Sequence, residues 1–424
     1  MGFLGVMACV VCDWTGATDA PWFACPSCAA VGRHSNVLAT YSPADADSVM
    51  ADDAQPGIFR YRARFPIDLD AAPVSLQEGD TPLISSEILA EQLGVRSLWI
   101  KDETRNPTWS YKDRLAAVAI TEAKARGADT VALATTGNHG AAAAAYAAAA
   151  GLRCIALTLA SVPATMKVLM ASYGADVVAL ESPPDRWKLL RQGVEERGWV
   201  PVSGFLDPPI GSNSYGVDGY KSIAFETVEQ LRAAPDAVLV PAAYADGLVG
   251  IHRGFRDLHE AGVIDEAPRM VAVDPFGAYD AGLASPSPEL PRVPAGSTVS
   301  FSIGTPIATH QGLAALRESG GTAVAAGDDE EVMGMQRRVA AATGLFLEAS
   351  SVTTFVAVEK LASEGRLGPD DDVVCVATST GLKDVDAAER RLPPVVTVPP
   401  DLDALERAIE GDRRGEASGQ GGGE

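Results

Sequence analysis

The chain has 424 residues, of which 47% are hydrophobic, and a formal net charge of −22 at pH 7. This length is enough for two or three structural units with buried cores. The negative charge argues against a nucleic-acid partner, whose phosphates it would repel. No run is long and apolar enough to span a bilayer, and the first residues lack the basic leader of a signal peptide. We therefore expect a cytoplasmic protein without a nucleic-acid or membrane partner.

The first unit is predicted from cysteine spacing. Four of the six cysteines form two Cys-x-x-Cys pairs near the N-terminus, namely Cys9, Cys12, Cys25 and Cys28. Clustered thiols in a cytosolic protein indicate a metal site, and this spacing is typical of a four-thiolate zinc ribbon. Four protein ligands leave no open position, so the predicted zinc is structural, and redox-active pairs are the alternative. We assign residues 1–40 to a zinc-ribbon-like module and residues 41–75 to an arm or linker.

From residue 76 the pattern alternates between apolar strands and helices. The predicted strands are 98–100, 130–135, 154–159, 176–180, 237–241, 270–274, 322–325 and 373–377. The predicted helices are 114–126, an Ala-rich helix ending at 150, 163–173, 187–197 and 221–233. This alternation predicts an α/β protein with parallel sheets and right-handed crossovers. The Gly-, Ser- and charge-rich tail, residues 412–424, is expected to be disordered.

A lysine begins one of these helices, in segment 106–114, which reads NPTWSYKDR. A charged ammonium at Lys112 would face the positive end of the helix dipole. This position favours the neutral amine that Schiff-base chemistry requires. The alternative is a solvated surface lysine, which the spacing alone favours.

Four segments resemble motifs of threonine synthases, within the fold-type II pyridoxal-phosphate enzymes. They are 78–83 (EGDTPL), 106–114 (NPTWSYKDR), 218–226 (DGYKSIAFE) and 378–384 (TSTGLKD). The segments follow the order of the family over residues 76–385, which is more specific than any one motif. The resemblance implies that Lys112 carries pyridoxal 5′-phosphate as a Schiff base and later moves the α-proton of the substrate.

The resemblance also assigns the other cofactor contacts. Asn138 would hydrogen-bond the ring hydroxyl, and Thr378 would face the pyridine nitrogen as a neutral partner, which suits elimination and replacement chemistry. The phosphate would lie in a turn after a strand, formed by Ala243, Tyr244, Ala245, Asp246 and Gly247. The family has several glycines there, and Asp246 places an anion where an anion should bind. The site is therefore either reshaped or no longer binds the cofactor.

Substrate contacts are expected at two places. The backbone of a strand–helix turn can hold a carboxylate, and the residues concerned are Thr135, Thr136, Gly137 and His139. His139 replaces a family hydroxyl, either as an acid/base group or as a packed turn residue. Asn213 and Ser214 match a family segment that precedes an arginine, but here the loop looks shortened and the arginine is missing. Trp109 replaces a glycine beside the lysine motif.

These observations predict a tryptophan-synthase-β-like fold with two three-layer αβα lobes. The large domain would comprise 76–110 and 214–400, and the small domain 111–213. Because an arginine fork for phosphate is not easily replaced, we expect a lyase or synthase of amino-acid metabolism that has diverged from use of O-phosphohomoserine. The alternatives are a genuine threonine synthase and a non-catalytic paralogue that has lost the cofactor. A homodimer is expected by analogy with the fold.

Overall fold

The computed structural model describes residues 6–17, 24–68 and 70–409. The predicted tail at 412–424 lies outside the described residues. The chain forms two compact units, Met1–Lys383 and Asp384–Glu424. The described residues include no helix with the length and apolar character needed to cross a membrane.

Thirteen strands are described, and they are numbered here in chain order. They are β1 (Met7–Cys9), β2 (Thr15–Gly16), β3 (Val37–Ala39), β4 (Leu83–Ser85), β5 (Ser97–Asp102), β6 (Thr130–Ala134), β7 (Arg153–Leu159), β8 (Asp176–Leu180), β9 (Val200–Pro201), β10 (Ala237–Pro241), β11 (Arg269–Asp274), β12 (Thr322–Ala325) and β13 (Asp372–Ala377). They form three sheets, with the orders β2-β1-β3, β12-β11-β10-β13-β5-β4 and β8-β7-β6-β9.

The two larger sheets are parallel, except that β4 runs antiparallel to β5 at one edge. The register of β13 on β5 runs from Asp372 opposite Ser97 to Ala377 opposite Asp102. The parallel sheets confirm the predicted α/β class. The small N-terminal sheet is antiparallel, with Met7 opposite both Gly16 and Ala39.

Fourteen helices of the described residues are numbered here in chain order. They are α1 (Pro26–Ala29), α2 (Ala46–Val49), α3 (Glu87–Leu93), α4 (Lys112–Ala125), α5 (Asn138–Ala150), α6 (Ala164–Ser172), α7 (Pro183–Arg197), α8 (Lys221–Leu231), α9 (Asp246–Glu260), α10 (Ala278–Ala284), α11 (His310–Glu318), α12 (Asp329–Thr343), α13 (Ala349–Ser363) and α14 (Val385–Glu389). Short 3₁₀ helices span Gly57–Arg64, Glu103–Arg105, Gly216–Tyr220, Phe301–Ile303 and Gly381–Lys383. Residues 402–409, in the second unit, are also helical.

The segment predicted as an arm packs on the body of the first unit. In its 3₁₀ helix, Phe59 and Tyr61 are buried. The Tyr61 hydroxyl donates to Glu229 at 2.8 Å, and Arg64 forms a buried ion pair with Asp257 at 3.0 Å. Because these partners lie on α8 or α9, the segment is fixed to the outer helices that cover the six-stranded sheet.

The loop before α4 is fixed to the carboxyl end of β13. An isolated bridge joins Ser110 to Ser379, and the Tyr111 amide donates to the Thr378 carbonyl at 3.0 Å. This pairing places Lys112, the first residue of α4, beside the residues that follow β13. The fold thus brings together two of the segments that carry the sequence resemblance.

Candidate functional site

The Lys112 amine lies beside a pair of tyrosine rings that pack on each other, with centroids 4.8 Å apart. Its Nζ is 4.7 Å from the ring centroid of Tyr111 and 5.7 Å from that of Tyr220. The lysine is half-buried, whereas Tyr220 is fully buried. Both rings limit the directions in which the amine can point. Tyr111 and Tyr220 lie within the quoted motifs, but their role around the amine could not be inferred from sequence.

Asn138 is held by three side chains from other parts of the chain. Its Nδ2 donates to Glu348 Oε2 at 2.7 Å, and its Oδ1 accepts from Ser379 Oγ at 3.1 Å and Lys383 Nζ at 2.7 Å. Burial lowers the pKa of Lys383 to about 8, although Glu348 and Asp113 act in the opposite direction. The amide of Asn138 therefore has a defined orientation. Sequence reasoning missed Glu348, which no motif indicated, while Ser379 and Lys383 lie in the quoted C-terminal motif.

Thr378 follows β13 and is buried. Its Oγ1 lies 2.9 Å from Ser351 Oγ, which also accepts from the Ser379 amide at 2.9 Å. The hydroxyl is thus oriented by α13, and its neighbours are neutral groups. This is the environment expected for an uncharged partner of a ring nitrogen.

The turn between β10 and α9 has an unusual backbone. Ala245 adopts a left-handed conformation with φ of 61°, which favours glycine. The Ala243 carbonyl accepts from the Tyr279 hydroxyl at 2.9 Å, and the Tyr244 carbonyl accepts from Gln311 Nε2 at 2.8 Å. Tertiary hydrogen bonds from Tyr279 and Gln311 therefore hold this turn.

The Asp246 carboxylate is held by Ser212 and Gln311. It accepts from the Ser212 amide at 2.8 Å, from Ser212 Oγ at 2.7 Å and from Gln311 Nε2 at 2.9 Å. The first-turn amides of a helix have no intrahelical acceptor and can bind an anion. The Asp246 carboxylate accepts from Ser212 and Gln311, and from none of the amides at the start of α9. The hydrogen bonds to Ser212 and Gln311 weaken the main sequence objection to a phosphate here, although the charge of Asp246 stays near the turn.

Close backbone approach is also built into the turn. A Cβ added to Gly247 would lie 2.6 Å from Cε2 of Tyr111, which is too close for any other residue without a shift. Gly247 therefore allows the turn to pack against the residue that precedes Lys112. The predicted phosphate turn and the predicted cofactor lysine are adjacent in the fold.

Three buried polar atoms around Lys112 have no hydrogen-bond partner in the described part of the chain. They are Ser110 Oγ, His139 Nε2 and Tyr220 Oη. Buried polar groups are nearly always satisfied, and a cluster of exceptions is typical of a ligand site. A polar group placed between the amine and these atoms could satisfy them. The residues present therefore fit a pyridoxal phosphate whose polar substituents reach these positions.

The turn before α5 is shaped by Thr135. Its Oγ1 accepts from the amides of Gly137 and Gly140, both at 3.0 Å. Gly137 has φ of 148°, and a Cβ there would meet Met166 Sδ at 2.7 Å. Thr136 is half-buried beside them. The Thr135 side chain thus closes the turn that connects β6 to α5.

His139 is neutral at physiological pH. Burial, with a smaller contribution from the charge of Lys112, lowers the pKa of His139 to about 3. The acid/base interpretation is therefore limited, because a ring that stays neutral cannot donate as an imidazolium near pH 7. A neutral ring can still offer a hydrogen bond.

Asn213 and Ser214 are engaged with protein atoms. Asn213 Oδ1 accepts from the Tyr215 and Gly216 amides at 3.1 and 2.9 Å, and Ser214 Oγ donates to Asn36 Oδ1 at 3.1 Å. Both side chains are buried. These contacts stabilise the 3₁₀ turn before α8, and substrate binding by either residue stays a prediction.

Trp109 occupies a strained position at the edge of this region. Its φ is 59°, in the left-handed region, and the residue is 45% exposed. Its carbonyl accepts from Ser379 Oγ at 3.3 Å and from the Thr380 amide at 3.4 Å. The tryptophan is thus partly exposed to solvent, three residues before Lys112 in the chain.

The four N-terminal cysteines form one cluster. Their sulfur atoms all lie within 4.8 Å of one another. The Cys9–Cys28 and Cys12–Cys25 distances are 3.7 Å, and the Cys12–Cys28 distance is 3.6 Å. Tetrahedral zinc with bonds of about 2.3 Å would place its sulfur ligands about 3.8 Å apart. The cluster is therefore compatible with zinc.

Comparisons with known proteins agree with this geometry. Residues 74–379 match the family described as "Pyridoxal-phosphate dependent enzyme". The chain is 32% identical to a threonine synthase of Methanosarcina acetivorans over 417 residues, covering 96% of this chain and 98% of the relative. It is 33% identical to a threonine synthase of Methanocaldococcus jannaschii over 361 residues, with coverages of 84% and 87%.

Among solved structures, maize serine racemase is similar with a TM-score of 0.63 at 18% identity. The match covers 89% of this chain and 100% of that chain. At this identity the likeness shows the fold alone. It confirms the predicted fold type II.

Proposed function

Because the chain belongs to the pyridoxal-phosphate-dependent enzymes and is related to the threonine synthases, we propose that it eliminates or replaces a group at the β or γ carbon of an amino acid. The observation that carries this proposal is the position of Lys112. Its amine lies beside the tyrosine rings, and the preceding residue bonds to Thr378 and packs on Gly247. Three separate elements thus converge on the one lysine.

The residues fit the following roles. When bound, the cofactor supplies an electron sink for negative charge at the substrate α-carbon. Lys112 would hold the cofactor and then move the α-proton. Asn138 and Thr378 would orient the ring through neutral hydrogen bonds, and the amides at the start of α9, within 243–247, would take the phosphate. The hydrogen bonds that Ser212 and Gln311 make to the Asp246 carboxylate support this role and argue against a paralogue that has lost the cofactor.

The substrate is an amino acid whose carboxylate binds the backbone turn 135–139. We favour a substrate other than O-phosphohomoserine, because the buried turn Gly216–Tyr220 contains no arginine. His139, neutral and with an unpartnered Nε2, would then offer a hydrogen bond to the substrate. Genuine threonine synthase activity is the second candidate, and the names of the relatives favour it.

The cysteine cluster is proposed to hold structural zinc. Four thiolates with sulfur separations of 3.6–3.7 Å between three of the pairs support a closed tetrahedral site. All four ligands come from the protein, so this metal would stabilise the N-terminal module and take no part in the reaction. The homodimer and the cytoplasmic location remain predictions, and light scattering on the purified chain checks the first.

Visible absorbance of the full chain with added pyridoxal phosphate tests the proposed function. The wild type should show the absorbance of lysine-bound cofactor, and Lys112→Ala should not. Lys124→Ala, an exposed lysine in the same helix, is the matched control and should behave as the wild type does. If the wild type shows no such absorbance, or Lys112→Ala retains it, the assignment is wrong.

Product assays then separate the two candidates. Release of inorganic phosphate from O-phosphohomoserine, with formation of threonine, would establish threonine synthase activity. Release of ammonia and a keto acid from another amino acid would establish a lyase instead.

A further inference from the structure

Arg186 is a buried cation without an acidic partner. It lies in the first turn of α7 and is 7% exposed. Its Nε donates to the Pro183 carbonyl at 3.3 Å, and its Nη1 donates to the Thr135 carbonyl at 3.0 Å. Both acceptors are neutral. Throughout the described ranges, no carboxylate forms an ion pair with this guanidinium.

Other buried arginines of the chain are paired. Arg64, Arg114 and Arg253 each bond to at least one buried carboxylate. Burying a charge without a counter-charge is costly. An arginine keeps its proton under all ordinary conditions, so the cost at Arg186 is not relieved by neutralisation. Such a side chain is expected where an anion arrives from outside the chain.

The guanidinium contacts one part of the candidate site. Thr135, whose carbonyl accepts from it, begins the turn that leads to Asn138. The Arg186 charge also acts to lower the pKa of Tyr244, against the larger effect of burial, which raises that pKa to about 12. Tyr244 belongs to the turn that precedes α9. Arg186 therefore contacts the turn 135–139, and its charge acts on the turn 243–247.

We propose that Arg186 forms an anion-binding subsite beside the turn 135–139 that takes a phosphate or carboxylate group. A planar guanidinium binds such groups through two parallel hydrogen bonds, and the Nη2 group of Arg186 donates to no atom of the described chain. The inference rests on the proposed function for the identity of its ligand. The anion is either the phosphate of the cofactor or an anionic group on the substrate side chain.

The first arm of the test uses inorganic phosphate and the full chain without added cofactor. Phosphate should raise the melting temperature of the wild type and of Arg191→Gln, an exposed arginine on the same helix. It should raise that of Arg186→Gln less, because only the amides at the start of α9 remain to bind it. Without phosphate, Arg186→Gln should be as stable as the wild type or more stable, because it removes an unpaired buried charge. A purely structural arginine would give a less stable variant.

The second arm identifies the source of the anion. If Arg186 binds the cofactor phosphate, Arg186→Gln should weaken the binding of pyridoxal phosphate at least about tenfold. The binding of pyridoxal, which lacks the phosphate, should be unchanged. If it binds a substrate group, pyridoxal phosphate should bind normally. In that case O-phospho-L-serine, followed through the cofactor absorbance, should bind at least about tenfold more weakly while L-serine is unaffected.

The outcomes decide both proposals separately. A wild type that responds to phosphate but does not bind pyridoxal phosphate would leave the subsite standing and refute the proposed function. Equal binding of all probes by wild type and Arg186→Gln would refute the subsite. If Arg186→Gln does not fold, the wild type decides alone: no stabilisation by phosphate overturns the inference.

Discussion

Arg114 and Glu226 are joined by two parallel hydrogen bonds, Nη1 to Oε1 at 2.6 Å and Nη2 to Oε2 at 2.7 Å, in a fully buried position. Arg114 also donates to Glu103, and Lys101 contacts Glu226 at 2.9 Å. The two arginine–carboxylate pairs connect α4, α8 and the segment after β5. Because Arg114 lies two residues after Lys112, this network fixes the start of the helix that presents the amine.

Replacing Arg114 by methionine should strongly destabilise the fold. Glu103 and Glu226 would remain buried with less compensation, and breaking a buried pair costs about 3–5 kcal/mol. Urea unfolding of Arg114→Met and Lys124→Ala measures this difference, with the exposed Lys124 as the control. A loss below about 1 kcal/mol in Arg114→Met would contradict a stabilising role for the network.

Replacing Ala245 by glycine should stabilise the cofactor-free chain by about 1 kcal/mol. The left-handed conformation of Ala245 costs an alanine about 1–2 kcal/mol, and glycine adopts it freely, at some cost in unfolded-state entropy. Ala243→Gly is the matched control, since Ala243 has no positive φ and should lose about 0.5–1 kcal/mol. Thermal and urea unfolding of both variants provide the comparison. Equal changes in the two variants would show that the turn is not strained at Ala245.

His139 should make the wild type sensitive to acid. Its folded pKa of about 3 is below the ordinary value, so the unfolded state binds more protons between about pH 6.5 and pH 3. The contribution of a neutral His139 is therefore present above about pH 6.5 and lost as pH falls toward 3. His139→Asn lacks this group, and its stability should fall less steeply than that of the wild type.

Urea midpoints at pH 7.5, 6 and 4.5 measure this effect. The difference between wild type and His139→Asn isolates the histidine, because all other groups titrate in both proteins. The urea midpoint of His139→Asn, relative to that of the wild type, should rise as pH falls. Parallel pH dependences would mean that His139 is not desolvated in the fold.

The repeating α/β pattern could be predicted because strands and helices carry strong local signals. The run 237–241 became β10, and 98–100 became the centre of β5 (Ser97–Asp102). Helix α9 was not predicted, and its glycines explain why. A Cβ at Gly250 would lie 2.4 Å from the Val217 carbonyl, and one at Gly254 would lie 2.6 Å from the Lys221 carbonyl. These glycines allow α9 to pack closely on the 3₁₀ helix Gly216–Tyr220 and on α8. An argument from helix propensity counts the same glycines against a helix.

The site could be predicted only as far as its motifs extend. Lys112 lies in a quoted segment, Asn138 was assigned through the resemblance, and the fold brings both toward the end of β13. The orientation of Asp246 depends on Ser212 and Gln311, which lie 34 and 65 residues away in sequence. Glu348, 210 residues from Asn138, gave no local signal either. Contacts at such separations are set by the assembled fold, and a single sequence does not show them.

Removal of zinc should destabilise the N-terminal module without removing cofactor binding. The four thiols lie in a small apolar cluster with Met7, Val37 and Tyr215, and a closed zinc site contributes directly to the folding of such a module. Metal analysis of the purified chain should find about one zinc per chain. A chelator, or Cys12→Ser, should lower the melting temperature and increase proteolysis near the N-terminus.

Cofactor binding at Lys112, measured in the same samples, tests whether the metal is purely structural. Cofactor absorbance should persist after zinc removal, because the predicted cofactor residues lie outside the cysteine module. Cys154→Ser, a buried cysteine in β7, is the control and should retain the full zinc content. The redox alternative would be supported by three results together. The purified protein would contain no zinc, a chelator would not change its stability, and mild oxidation would form a disulfide between these thiols.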